Sequence, residues 1–187
     1  MSPAQALEEL AQAFRALRIP FAVGGSLASS FHGIPRATLD ADLLVSISEA
    51  IVPRLVANIS ANFYADVDDI RQSFRLGRSA NLIHMPTGFK FDLFPARDDF
   101  MYAQLDHAAE GTLNVEGVGV TVPICSAEDT ILAKLSWWKQ CNQSDYQWRD
   151  LEGMVAMSRA NLDVSYLRSW AGKMKLSEPL EKLLGGS

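Results

Sequence analysis

The chain has 187 residues, 48% of them hydrophobic, and a formal net charge of -5. That suits one domain with a real interior and argues against a broad basic face gripping a nucleic-acid backbone. Cys125 and Cys141 lie outside any CxxC, and His32, His84 and His107 lack zinc-ligand spacing, which excludes a disulfide scaffold and a zinc site and fits reduced thiols.

No run approaches the roughly 20 apolar residues that cross a bilayer, and MSPAQALEEL lacks the basic and apolar parts of a signal peptide. The expectation is a soluble cytoplasmic protein with no membrane partner.

Leu7, Leu10, Phe14 and Leu17 share one face of an amphipathic helix ended by Pro20. Phe21 to Val23 reads as a buried strand, and the glycines after it permit a turn that side chains would obstruct. Ser26 is expected to cap a short helix closed by Gly33 and Pro35. Thr38 to Val45 then returns as a strand carrying Asp40 and Asp42 at alternate positions. Alternate residues face one side about 6 to 7 Å apart, so both carboxylates can meet one cation while Leu39, Ala41 and Leu43 face the core. Two acids this close repel, and Mg2+ is the common offset.

Ser46 or Ser48 is expected to cap a helix bearing Ile51, Leu55 and Ile59. Asp66, Asp68 and Asp69 repeat the D-x-D spelling but precede a helix, where carboxylates cap amides, so they read as a decoy. Asn81 to Met85 and Phe89 to Phe94 form a hairpin about Pro86-Thr87-Gly88. Asp92 on its second strand is expensive without a partner, which makes it the third acid. A helix capped by Asp98 or Asp99, a hairpin across Gly117, and helices over Thr130 to Gln140, Asp145 to Met157 and Val164 to Met174 complete the chain. Ser126 to Asp129 has the capping-box pattern. Lys134 lies beside the apolar stripe that follows, and Asp150 reads as solvated.

Helix N-termini offer unpaired amides to anions, which makes Gly25 and Ser26 a candidate phosphate grip. Arg36 and Lys134 are candidate cations for triphosphate oxygens.

Val23-Gly24-Gly25-Ser26, then 13 residues, then Asp40-Ala41-Asp42-Leu43, and Asp92 in FKFDLF together resemble the nucleotidyltransferase superfamily with the DNA polymerase beta fold. The spelling HGIPRATLDADLLV, with SAEDTILAKL downstream, is similar to the abortive-infection type IV toxin branch. The resemblance implies an α/β (α+β) fold with a mixed central sheet flanked by helices. It implies a nucleotidyltransferase core over residues 1–123 and a C-terminal helical subdomain over 124–187.

By that likeness Asp40, Asp42 and Asp92 are catalytic and ligate two Mg2+ ions, with Mn2+ as a substitute. Gly24, Gly25, Ser26, Arg36 and Lys134 bind the nucleotide. The activity implied is metal-dependent transfer of an NMP from an NTP to an acceptor hydroxyl on a tRNA, a protein or a small molecule. A toxin-antitoxin partner protein is a further expectation. The rivals are a catalytically quiet nucleotide- or partner-binding module and a metal-dependent phosphohydrolase.

Overall fold

The computed structural model describes residues 1–35, 38–141 and 143–185. In chain order the elements are α1 (Pro3–Ala16), β1 (Phe21–Val23), α2 (Gly25–His32), β2 (Asp40–Val45), α3 (Val52–Ile59), β3 (Phe63–Tyr64), α4 (Val67–Arg75), β4 (Ala80–His84) and β5 (Phe89–Pro95). There follow α5 (Asp99–His107), β6 (Ala109–Val115), β7 (Val118–Ile124), α6 (Ala127–Gln140), α7 (Asp145–Ser158), α8 (Val164–Lys173) and α9 (Ser177–Leu184).

The strands make one seven-stranded mixed sheet in the order β3-β4-β5-β2-β1-β7-β6. β2 runs parallel to β5 and β1 parallel to β7, while the other pairs are antiparallel. The β2–β5 register matters most, because it sets Asp42 opposite Asp92 and Asp40 opposite Lys90. Side chains alternate along a strand, so these four residues share one face. Ala41, Leu43, Phe91 and Leu93 point to the other and are buried there.

That apolar face packs with Leu7, Leu10 and Phe14 of α1, Leu55 and Ile59 of α3 and Ile70 of α4 in one hydrophobic cluster. A second cluster gathers the C-terminal helices through Ile131, Leu132, Leu135, Leu151, Met154, Leu167 and Leu180, and recruits Phe100 from α5. α2 touches β2, α6 and α7, which ties the sheet to this helical cluster. The indole of Trp138 packs against Trp148 and that of Trp170 against Phe100.

Several local expectations are corrected. β2 starts at Asp40, so Leu39 precedes the pleat and is 89% exposed instead of facing the core. Gly24, not Ser26, is the N-cap of α2 and makes no side-chain capping bond. α3 begins after Ile51 with a proline in its first turn, so neither Ser46 nor Ser48 caps it. Pro fits there because first-turn amides have no intrahelical partner. The two-residue β3 carries too little pattern to announce itself in the sequence; α9 adds to the expected elements, with Leu176, Leu180 and Leu183 buried at helical spacing. Asp66 accepts from the amides of Asp68 and Asp69, as expected of a helix cap.

Candidate active site

The strand β1 ends at Val23, and the amide of Gly24 donates to the carbonyl of Asp42 on the neighbouring β2 at 2.9 Å. The chain then turns into α2 through Gly25 at φ +52, a left-handed conformation that favours glycine. A Cβ at Gly25 would lie 1.7 Å from Oδ2 of Asp42, so the acid sits directly against the first turn of α2. Ser26 lies within that turn and is not its N-cap.

Asp42 is where the electrostatics concentrate. Burial, then the charges of Asp40 and Asp92, push its carboxyl up from 3.8 to about 6, while Lys90 and Lys134 pull it back. Asp40 accepts from the Thr38 hydroxyl at 3.0 Å. Asp92 keeps 13% of its side chain exposed; Oδ2 pairs with Lys90 Nζ at 2.8 Å, and Oδ1 is buried without a hydrogen-bond partner.

Lys90 also reaches Asp40, at 3.8 Å. Its ammonium is held above the usual range, first by the hydrogen bond to Asp92 and then by the surrounding carboxylates, against the pull of burial. Sequence reasoning assigned Lys90 no role, although FKFDLF sets it on the same strand face as Asp92.

Lys134 of α6 donates to Asp150 of α7 at 3.1 Å, and the two side chains are only 16% and 18% exposed. Asp150 is therefore a half-buried ion-pair partner and not the solvated residue expected from the sequence. Its neighbour on α6 still bears on the acids, since the Lys134 charge lowers the Asp42 carboxyl. Arg36 lies outside the described residues. His32 is engaged by its ring nitrogen with the Cys125 carbonyl at 2.7 Å.

Among the described residues no three His, Cys, Asp or Glu side chains are drawn together tightly enough to hold a metal as they stand. The donor set nevertheless suits a hard divalent ion. It is all carboxylate oxygen, Asp92 Oδ1 lacks a partner, and burial with the charges of Asp40 and Asp92 raises the Asp42 carboxyl.

No family model matches the chain, and none of the curated proteins does. Solved structures do. A nucleotidyltransferase-like antigenic protein from Paracoccidioides brasiliensis matches at 18% identity over 98% of this chain and 92% of that one, with a TM-score of 0.54. The antibiotic-resistance factor ANT(2'')-Ia in solution matches at 13% identity over 96% of each chain, with a TM-score of 0.56. A crystal structure of ANT(2'')-Ia in complex with adenylyl-2''-tobramycin matches at 15% identity over 92% of this chain and 96% of that one, with a TM-score of 0.54. The chain therefore has the α/β nucleotidyltransferase fold.

Proposed function

We propose that the protein is a metal-dependent nucleotidyltransferase that moves an NMP from an NTP to an acceptor hydroxyl and releases pyrophosphate. One observation carries this above the rest: the β2–β5 register sets Asp42 opposite Asp92, with Asp40 on the same face and Gly25 against Asp42. Aspartates cap helices in loops, but they have no structural reason to crowd one sheet face.

In this reading the acceptor oxygen attacks the α-phosphorus, the bond to the bridging oxygen breaks, and pyrophosphate departs with the negative charge. The first-turn amides of α2, from Gly25 and Ser26, hold phosphate oxygens. Asp92 takes the acceptor proton on Oδ1, which is buried and has no hydrogen-bond partner. Lys134, oriented by Asp150, and Arg36 balance triphosphate charge. Asp40, Asp42 and Asp92 would hold Mg2+ or Mn2+. Bound there, such an ion would make the acceptor hydroxyl easier to ionise and would offset the charge of the leaving pyrophosphate. Catalysis by the protein itself is positioning and charge compensation.

The acceptor we favour is a small-molecule hydroxyl. The bound adenylyl-2''-tobramycin of a fold neighbour supports that choice, and the net charge of -5 weighs against RNA. The abortive-infection likeness, carried by HGIPRATLDADLLV, supports a protein or tRNA acceptor and a toxin-antitoxin partner as the next to test.

Purified protein with Mg2+, labelled NTPs and panels of antibiotic, tRNA and protein acceptors is expected to transfer label. Asp42→Ala is expected to lower transfer at least a thousandfold, and undiminished transfer by that variant refutes the assignment.

A further inference from the structure

A cleft of about 530 Å3 that includes none of the three aspartates lies between the end of α2, the starts of β6 and α6, and the end of α7. It meets α2 at Phe31, His32 and Gly33, roughly 9 Å along the helix from the Gly25 turn that touches Asp42. Its size suits a small organic molecule.

One wall is apolar, from Phe31, Met157 and Leu162, and the first two are exposed. The other is negative. Among the described residues no lysine or arginine lines the cleft. Glu110 is paired from outside by Arg15 at 3.3 Å, whereas Glu128 accepts the backbone amide of Asp163 at 2.9 Å and, among the described residues, has no ion-pair partner. The N-terminus of α6 by itself favours an anion, but Glu128 and the buried Asp129 already occupy its first turn. α2 brings its carbonyl end, the negative end of a helix dipole, to the same space.

His107 completes the polar wall. Its Nδ1 lies 3.4 Å from Asp129 Oδ2 and 3.2 Å from the Tyr166 oxygen, whose own hydrogen goes to Asp129 Oδ1. Both neighbours accept, so Nδ1 carries a hydrogen, and in the neutral ring Nε2 keeps a lone pair for the cleft.

We propose that this cleft is a binding site for a small organic ammonium ion, with the charge against Glu128 and the hydrocarbon on Phe31, Met157 and Leu162. The ammonium donates to the Glu128 carboxylate and to His107 Nε2, and the Phe31 ring adds a face to the cation. Neither the three aspartates nor the transfer reaction enters into it.

The test is titration of the whole protein with 2-phenylethylammonium, its neutral counterpart 2-phenylethanol and the anion phenylacetate, followed by amide shifts in 1H–15N NMR. The ammonium is expected to bind with a Kd of about 1 mM, in keeping with so small a molecule, and to shift the amides of Ala109, Ala127, Glu128 and Asn161. The alcohol and the anion should bind about fivefold more weakly or less. Glu128→Gln keeps an acceptor for the Asp163 amide, so its Tm should stay close to that of wild type while ammonium binding falls about fivefold. Asn161→Trp, which fills the cleft from an exposed position, should abolish binding.

No ammonium binding up to about 20 mM, equal binding of the three probes, or shifts confined to Gly25, Asp40 and Asp42 overturns the proposal. So does a Kd for Glu128→Gln within about twofold of wild type, or full binding by Asn161→Trp.

Discussion

Asp42 shows how a single residue works against the fold that holds it. Its carboxyl titrates near 6 in the folded protein and at 3.8 without it, chiefly because of burial and then the neighbouring acids. Between those values the folded state keeps a proton that the unfolded chain has lost. The contribution to stability is therefore fully present in acid and disappears as pH rises through about 6. At pH 7.5 in metal-free buffer, ionised Asp42 costs up to about 3 kcal/mol. Asp42→Asn should then raise Tm by up to about 6 to 12 °C at pH 7.5, lose the gain at pH 3.5, and abolish transfer; calorimetry at the two pH values checks this. A flat difference between the two proteins across that range contradicts the assigned cause. The two acids of D-x-D and the acid of FKFDLF were readable in the sequence because polar residues at alternate strand positions are costly. Lys90 stood in the same hexapeptide and passed unnoticed, because a lysine on a strand face is ordinarily a solvated surface residue. Only the pairing of β2 with β5 brings it to Asp40.

At the scale of an element, α6 shows a motif read correctly in outline and differently in detail. Ser126 does accept from the Asp129 amide, as the capping pattern predicts. The Asp129 carboxylate does not reach back to the backbone, however. It is wholly buried, taking the Ser126 hydroxyl on Oδ2 at 2.9 Å and the Tyr166 hydroxyl on Oδ1 at 2.6 Å, with His107 Nδ1 at 3.4 Å. One carboxylate thus joins α5, α6 and α8, a role set by tertiary contacts that no local pattern records. Asp129→Ala removes the acceptor of the part-buried Ser126 and Tyr166 hydroxyls and should cost about 1 to 3 kcal/mol, read as a fall in the urea midpoint. Asp129→Asn, which retains one acceptor, should lose less. Strands and long helices were legible for the opposite reason: their periodicity is local. Leu39 failed because alternation alone does not say where a strand begins, and the exposed residue continues the apolar-polar rhythm one step too far.

For the whole molecule, one apolar cluster packs the sheet face opposite the acids, and a second is separate from it. The second belongs mainly to the C-terminal helices, and those helices bring Lys134 and Asp150. α9 closes this cluster with Leu180 and Leu183, both buried. Ending the chain after Lys175 should expose the surfaces these leucines cover, at about 2 to 3 kcal/mol each. The expected result is a Tm lower by 10 °C or more, about 2 to 4 °C per kcal/mol, together with loss of transfer, measured by circular dichroism and the label assay. Retained stability would mean that α9 is an ornament on the cluster.

The adjacency of β2 and β5 has a temporal meaning as well. The two strands are neighbours in space but are separated along the chain by α3, β3, α4 and β4. A nascent polypeptide therefore emerges from the ribosome with Asp40 and Asp42 before Lys90 and Asp92. On the proposed function, the acids share one face only once the hairpin carrying β5 has paired with β2, and Lys134 on α6 follows later in the chain.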